Sequence, residues 1–148
     1  MYQELYGVTS HIMYFYNVYG PREANYGEHS TVIRSFKTAV QTGNPLRIFG
    51  TGKKTRDFTH VYDIVDGLIK IANTNHKHSD AWELGTGVNY SINQLYEMFK
   101  TNFSATSVYV PDQPGNYRET LRINDDALKL LNWKPKDRLK SHIENLNI

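Results

Sequence analysis

The 148-residue sequence predicts an α/β fold, and three observations carry that prediction. Short strand-like runs alternate with stretches of helical periodicity along the whole chain. The first strand-like run has little polar alternation, as expected of a strand covered on both faces. Capping residues open the periodic stretches, and Gly, Asn or Pro closes them.

The run from Ser10 to Tyr16, rich in Ile, Met and aromatics, reads as that first strand, and Gly20-Pro21 ends it. From Ser30, the set Val32, Ile33, Phe36, Ala39 and Val40 follows helical spacing. Thr42-Gly43-Asn44-Pro45 then stops a helix of about three turns. "LRIFGTGKKTRDFTHV" reads as a short strand, a glycine turn and a second extended piece. Asp63 is placed to cap a helix that buries Ile64, Val65, Leu68, Ile69 and Ala72.

"AWELGTG" is another strand and turn, and Ser91-Ile92-Asn93-Gln94 matches a capping box. The helix beyond it buries Ile92, Leu95, Tyr96 and Phe99. "SVYV" is strand-like, "PDQPGN" is a loop, and "ETLRI" reads as one more strand. Asn124 caps "DDALKLLNW", Trp133-Lys134-Pro135 closes that helix, and a last helix runs from Asp137. With no repeat, low-complexity tract or internal linker, residues 1–148 are expected to form a single domain.

Composition narrows the function classes. A compact domain of this size buries roughly 68–70% of the surface its unfolded chain exposes, so a real core is possible. No segment approaches the ~18 consecutive apolar residues of a membrane helix. The chain has no cysteine, which excludes disulfides and thiolate metal sites and agrees with a reducing cytoplasm. A net charge of +2, with Lys and Arg scattered among acids, does not argue for nucleic acid.

Several motifs favour ordinary structural readings. The two Gly-Thr-Gly triplets fail as dinucleotide fingerprints, because Thr55 and Tyr90 stand where the third glycine belongs. Tight turns account for both. The six histidines include no helical His-x-x-x-His pair, and His76 and His78 fall in a polar loop, so no metal site is expected. Arg56 follows a flexible glycine turn and is flanked by strand-like residues, which suits a bidentate fork for phosphate. Taken alone, an Arg-Asp neighbour pair is more often a surface ion pair. Phe49 is either a core aromatic or a face for a planar base.

Order along the chain adds a resemblance. "YFYNVYGPR", "PLRIFGTGKKTRDFTHVYDIVDGL", "WELGTGVNYSINQL" and "PGNYRETLRINDDALKLLNWKP" occur in the sequence and spacing of one family. Together they resemble the C-terminal half of the extended short-chain dehydrogenase/reductases, within the nucleotide-sugar epimerases and dehydratases typified by UDP-galactose 4-epimerase. The resemblance implies a substrate-binding lobe carrying one strand of the Rossmann sheet, with the NAD-holding N-terminal Rossmann half absent. Family members oxidise the sugar by hydride transfer to NAD. A Tyr-x-x-x-Lys pair does the proton work, the cation lowering the tyrosine pKa.

Leu5-Tyr6-Gly7 matches the end of the helix that bears this pair, so its lysine belongs about two helical turns before Met1. Neither Tyr2 nor Tyr6 has a lysine four positions on, and no catalytic residue is assigned. By resemblance, Asn17 hydrogen-bonds substrate, Phe49 packs on the base, and Arg56 binds the diphosphate. The Phe15 to Val18 backbone lies beside the nicotinamide, and His29 to Val32 forms a helix entrance near the nucleotide.

There are departures from the family pattern. Tyr14 replaces the usual Arg of "LRYFN". The loop that often reads Arg-x-Gly-Asp/Glu is Gln113-Pro114-Gly115-Asn116, leaving Arg118 and Arg122 as possible substitutes for its phosphate contact. Two functional readings follow. One is part of an NAD-dependent nucleotide-sugar enzyme, inactive alone, with NAD held mainly elsewhere. The alternative is a nucleotide-sugar-binding module or split-enzyme subunit that docks with a separate Rossmann chain. The open edge of the first strand further predicts self-association.

Overall fold

A computed structural model describes residues 2–23, 30–76 and 80–148. The chain opens with a one-turn helix, α1 (Tyr2–Tyr6), and enters β1 (Ile12–Phe15) and β2 (Val18–Tyr19). Helix α2 (Val32–Gln41) follows, then β3 (Leu46–Phe49), β4 (Thr55–Asp57), β5 (Thr59–His60) and α3 (Val61–Ala72). Next come β6 (Ala81–Leu84), β7 (Asn89–Ser91), α4 (Ile92–Phe103) and β8 (Ser107–Val110). Helices α5 (Asp126–Leu130) and α6 (Leu139–Glu144) complete the described elements.

Three strand pairs are parallel: β1 with β6, β2 with β5, and β3 with β8. The pair β4–β7 is antiparallel. Two apolar clusters organise the molecule. In one, Phe36 of α2 and Phe99 of α4 meet edge to face at 5.5 Å beneath Leu46 and Ile48 of β3, joined by Leu139 and Ile143 of α6. In the other, Trp82 and Leu84 of β6 pack with Ile64 and Ile71 of α3 and with Trp133. The indole N–H of Trp133 donates to the Asp63 carbonyl at 2.9 Å, tying the chain beyond α5 to α3.

Local signals explain most element ends. Thr31 caps α2 by accepting from the Arg34 amide, and the Ser91–Gln94 capping box opens α4 in both directions. Gly52 has φ +69°, and an added Cβ there would lie 1.8 Å from Asn93 Oδ1, so the first Gly-Thr-Gly is a turn packed on the start of α4. The N-cap of α5 is Asp125, one position after the expected Asn124, and it makes no side-chain cap bond; Asn124 Oδ1 accepts from the Asp126 amide at 2.7 Å just ahead of it.

Four expectations are corrected. The first strand is shorter than Ser10 to Tyr16 and is not covered on both faces: Ile12, Tyr14 and Phe15 are 62%, 57% and 49% exposed. Among the described residues β6 is its only strand partner. Helix α3 is capped by His60, whose Nδ1 accepts from the Tyr62 amide at 3.2 Å, while Asp63 is buried in the first turn. There Asp63 pairs with Arg138 at 3.2 Å and accepts from the Lys136 amide, so tertiary contacts take the carboxylate away from capping. The buried face of α3 is accordingly Asp63, Ile64, Gly67 and Ile71, with Val65, Ile69 and Ala72 turned outward. Finally, "ETLRI" forms only an isolated bridge, Thr55 with Glu119. Its backbone nevertheless runs beside β4, exchanging bonds among Arg118, Thr55, Thr120 and Asp57.

Candidate functional site

Asn17 sits between β1 and β2, where its carbonyl accepts the Thr59 amide at 3.0 Å. Its exposed side chain accepts from the Thr120 hydroxyl at 2.8 Å, and that hydroxyl accepts the Asp57 amide at 3.2 Å. Thr120 thus ties Asn17 to β4 across 103 positions of sequence. The Asn17 amide nitrogen has no hydrogen-bond partner among the described residues, which leaves two N–H donors for a ligand.

Arg56 and Asp57 are neighbours on β4 with different roles. Asp57 is fully buried and forms no ion pair with Arg56. Its Oδ1 accepts from Thr59 Oγ1, the Thr86 amide and Thr86 Oγ1; its Oδ2 accepts from the amides of Gly87 and Arg122. Gly85 completes this packing, since a Cβ there would lie 2.6 Å from Asp57 Oδ2. The surface ion-pair reading of Arg56 with Asp57 is therefore incorrect.

Arg56 is half-buried and opposes Tyr90 in the β4–β7 register. Its guanidinium makes one described hydrogen bond, Nη1 to the Thr55 carbonyl at 2.7 Å. Burial pulls its pKa below the usual arginine value, and no carboxylate pairs with it among the described residues. A partly desolvated guanidinium with most of its five donors unused is suited to an oxyanion.

Phe49 closes β3 opposite Val110 and is half-buried, with the Arg47 guanidinium 5.5 Å from its ring centre. The loop after β8 lies against the adjoining turn: a Cβ on Gly50 would approach Asp112 Cγ to 3.1 Å. Lys54 pairs with Asp112 at 2.7 Å, and this bond holds the Asp112 carboxyl below the usual range. Asp112 also accepts the Gln113 amide at 2.9 Å, and Asn116 Nδ2 donates to Gln113 Oε1 at 3.2 Å. The Phe49 turn and the loop bearing Gln113 and Asn116 thus form one group. Asn17, Thr120 and β4 form another, and the two are joined through consecutive Lys54, Thr55 and Arg56.

The two possible substitutes for the missing loop arginine differ. Arg122 is buried and donates to the carbonyls of Gly85 and Asn124 and to the Asp125 carboxylate, so it is a structural clamp. Arg118 uses its backbone carbonyl against the Thr55 amide and is exposed. Phe15 stands exposed at the carboxyl end of β1, whereas the Val18 side chain packs into the Trp82 cluster, leaving only its backbone for a ligand. Between them, Tyr16 donates to Glu83 at 2.8 Å; burial and this carboxylate push the phenol up to about 12.

His29 and His78 lie outside the described residues. Five concavities on the described surface are lined by other side chains than Phe15, Asn17, Phe49, Arg56, Gln113 or Asn116. Sequence reasoning missed Thr120, Asp57 and the Lys54–Asp112 pair. No local pattern marks Thr120, because its role depends on a partner far away in the chain.

Comparison with known proteins sets this geometry in context. UDP-glucose 4-epimerase of Mycolicibacterium smegmatis is 32% identical over 143 residues, covering 92% of this chain and 44% of that protein. A putative UDP-glucose 4-epimerase of Methanocaldococcus jannaschii is 30% identical over 148 residues, covering 99% and 47%. The crystal structure of Thermotoga maritima UDP-glucose 4-epimerase with UDP-glucose matches at a TM-score of 0.85 and 29% identity, covering 97% of this chain and 46% of that one. The chain therefore spans under half the length of these relatives. The family model for NAD-dependent epimerases/dehydratases matches residues 1–85, more than half of the 148, and this chain belongs to that family.

Proposed function

We propose that residues 1–148 form the C-terminal, nucleotide-sugar-binding portion of a cytoplasmic NAD-dependent epimerase or dehydratase, inactive on its own. The observation that carries this reading is the pairing of an unoccupied Asn17 amide with Arg56, which has no carboxylate partner, on segments tied together by Thr120. In this reading Arg56 takes the diphosphate, Asn17 donates to it, and Phe49 supports the base. Gln113 and Asn116 border the same nucleotide. Relatives described as UDP-sugar epimerases support UDP-sugars as the first ligands to try.

NAD would supply hydride acceptance. Its fit to these residues is one-sided: Phe15 is exposed at the carboxyl end of a parallel strand, where open α/β sheets bind ligands. The sequence has no Gly-x-Gly-x-x-Gly loop to cradle the pyrophosphate. Phe15 and the Val18 backbone would therefore border the cofactor, and this chain alone would not hold it tightly.

Titration calorimetry with UDP-, GDP- and TDP-sugars tests the proposal. Saturable binding that weakens about ten- to hundredfold in Arg56→Ala supports it, the size expected for a lost charge-assisted bond. Absence of binding at millimolar sugar nucleotide rejects a binding role for this chain alone. The bare face of β1 favours a second reading, in which the chain self-associates or docks with a separate Rossmann chain. A strictly monomeric species by light scattering removes self-association.

A further inference from the structure

A concavity of about 410 Å³ lies beside α2, walled by Arg34 and Lys37 of that helix, His142 of α6, and Arg22 and Glu23 of the corner after β2. It shares no wall residue with the candidate nucleotide site. Its charge is unbalanced: two arginines and a lysine face one carboxylate, and among the described residues none of the three cations forms an ion pair. Glu23 is already engaged by the Thr31 hydroxyl. The Arg34 Nε–H is buried without an acceptor, an arrangement that native proteins rarely leave unmet. Arg22, Arg34 and Lys37 act on the same space, since all three line this one concavity together with His142.

We propose that this concavity is a binding site for a tetrahedral oxyanion, either inorganic phosphate or the phosphoryl group of a phosphomonoester. The Arg34 guanidinium supplies planar paired donors with the buried Nε–H among them, Lys37 supplies a mobile point charge, and the His142 ring supplies a further donor. The site is separate from the proposed diphosphate contact at Arg56, so either assignment can fail without the other.

The test is titration calorimetry of the full chain with inorganic phosphate and, separately, glycerol phosphate at low ionic strength. It is repeated on Arg34→Gln, Lys37→Gln and Arg56→Ala, with circular dichroism to verify folding. Saturable binding near 1 mM is expected, weakened about tenfold in Arg34→Gln and in Lys37→Gln. Tighter binding of glycerol phosphate assigns the site to a phosphomonoester, and tighter binding of phosphate assigns it to the free ion. Two results overturn the proposal: no saturation by about 20 mM of either anion, or binding that is lost in Arg56→Ala but retained in the folded Arg34→Gln and Lys37→Gln variants.

Discussion

Replacing Asp57 tests whether one buried carboxylate ties two distant segments to its own. It accepts five hydrogen bonds from four residues: Thr59, Thr86, Gly87 and Arg122. In Asp57→Ala the two hydroxyls can turn to other acceptors, and the Thr86 amide keeps Thr59 Oγ1 at 3.2 Å. The amides of Gly87 and Arg122 lose the acceptor Oδ2. Two orphaned buried donors cost about 1–3 kcal/mol each, so the expected loss is about 2–6 kcal/mol. Asp57→Asn can keep its oxygen toward Gly87 and Arg122 and offer its NH₂ to the two threonine hydroxyls. Its NH₂ then faces the Thr86 amide, which falls back on Thr59 Oγ1, so the loss is charge assistance and that one amide bond, about 1–2 kcal/mol.

Urea unfolding measures both variants. With a slope of about 2 kcal/mol per molar urea, Asp57→Ala moves the midpoint down by about 1–3 M, and Asp57→Asn by less than about 1 M. A midpoint for Asp57→Ala within about 0.3 M of the parent would refute the reasoning. Equal losses for the two variants would locate the effect in the charge and not in the amide bonds.

Other consequences are independent. Thr120→Val removes the hydroxyl between Asn17 and Asp57, costs about 1–2 kcal/mol in urea unfolding, and weakens UDP-sugar binding if Asn17 is held for that purpose. His60 and His142 both have pKa values pushed below the ordinary 6.5, chiefly by burial, so the unfolded chain binds protons that the folded chain refuses. Their neutral state lets stability stay level above about pH 6.5 and fall as pH drops below it; a stability that rises on acidification to pH ~5 contradicts this. His60→Asn, which keeps a capping oxygen, should flatten part of that fall. Gly52→Ala forces a Cβ onto Asn93 at positive φ and should lower stability by about 1–3 kcal/mol, read as a drop in thermal midpoint.

Local signals were the most legible. The Ser91–Gln94 box, the Thr42-Gly43-Asn44-Pro45 stop and the apolar spacing of α2 and α4 act over one or two helical turns, so neighbours in sequence suffice to determine them. The α3 reading failed where longer-range contacts intervened. Val65 and Ile69 have the composition of a buried face, yet the face is chosen by Trp133 and Arg138 meeting Asp63 from 70 or more positions away. Arg56 showed the same limit, because "RD" in sequence is silent on whether the aspartate pairs with its neighbour or turns into the core.

By itself, then, the sequence determined the alternating α/β elements, their principal caps and the family pattern, all of which rest on residue order and short-range chemistry. Tertiary structure alone decided that Asp57 is a buried junction, that Arg122 is a clamp while Arg56 lacks a carboxylate partner, and that Thr120 carries Asn17 to β4. Those outcomes depend on which donors and acceptors meet after long loops close. A carboxylate, guanidinium or hydroxyl has the same appearance in sequence whether it meets water, another side chain or a ligand.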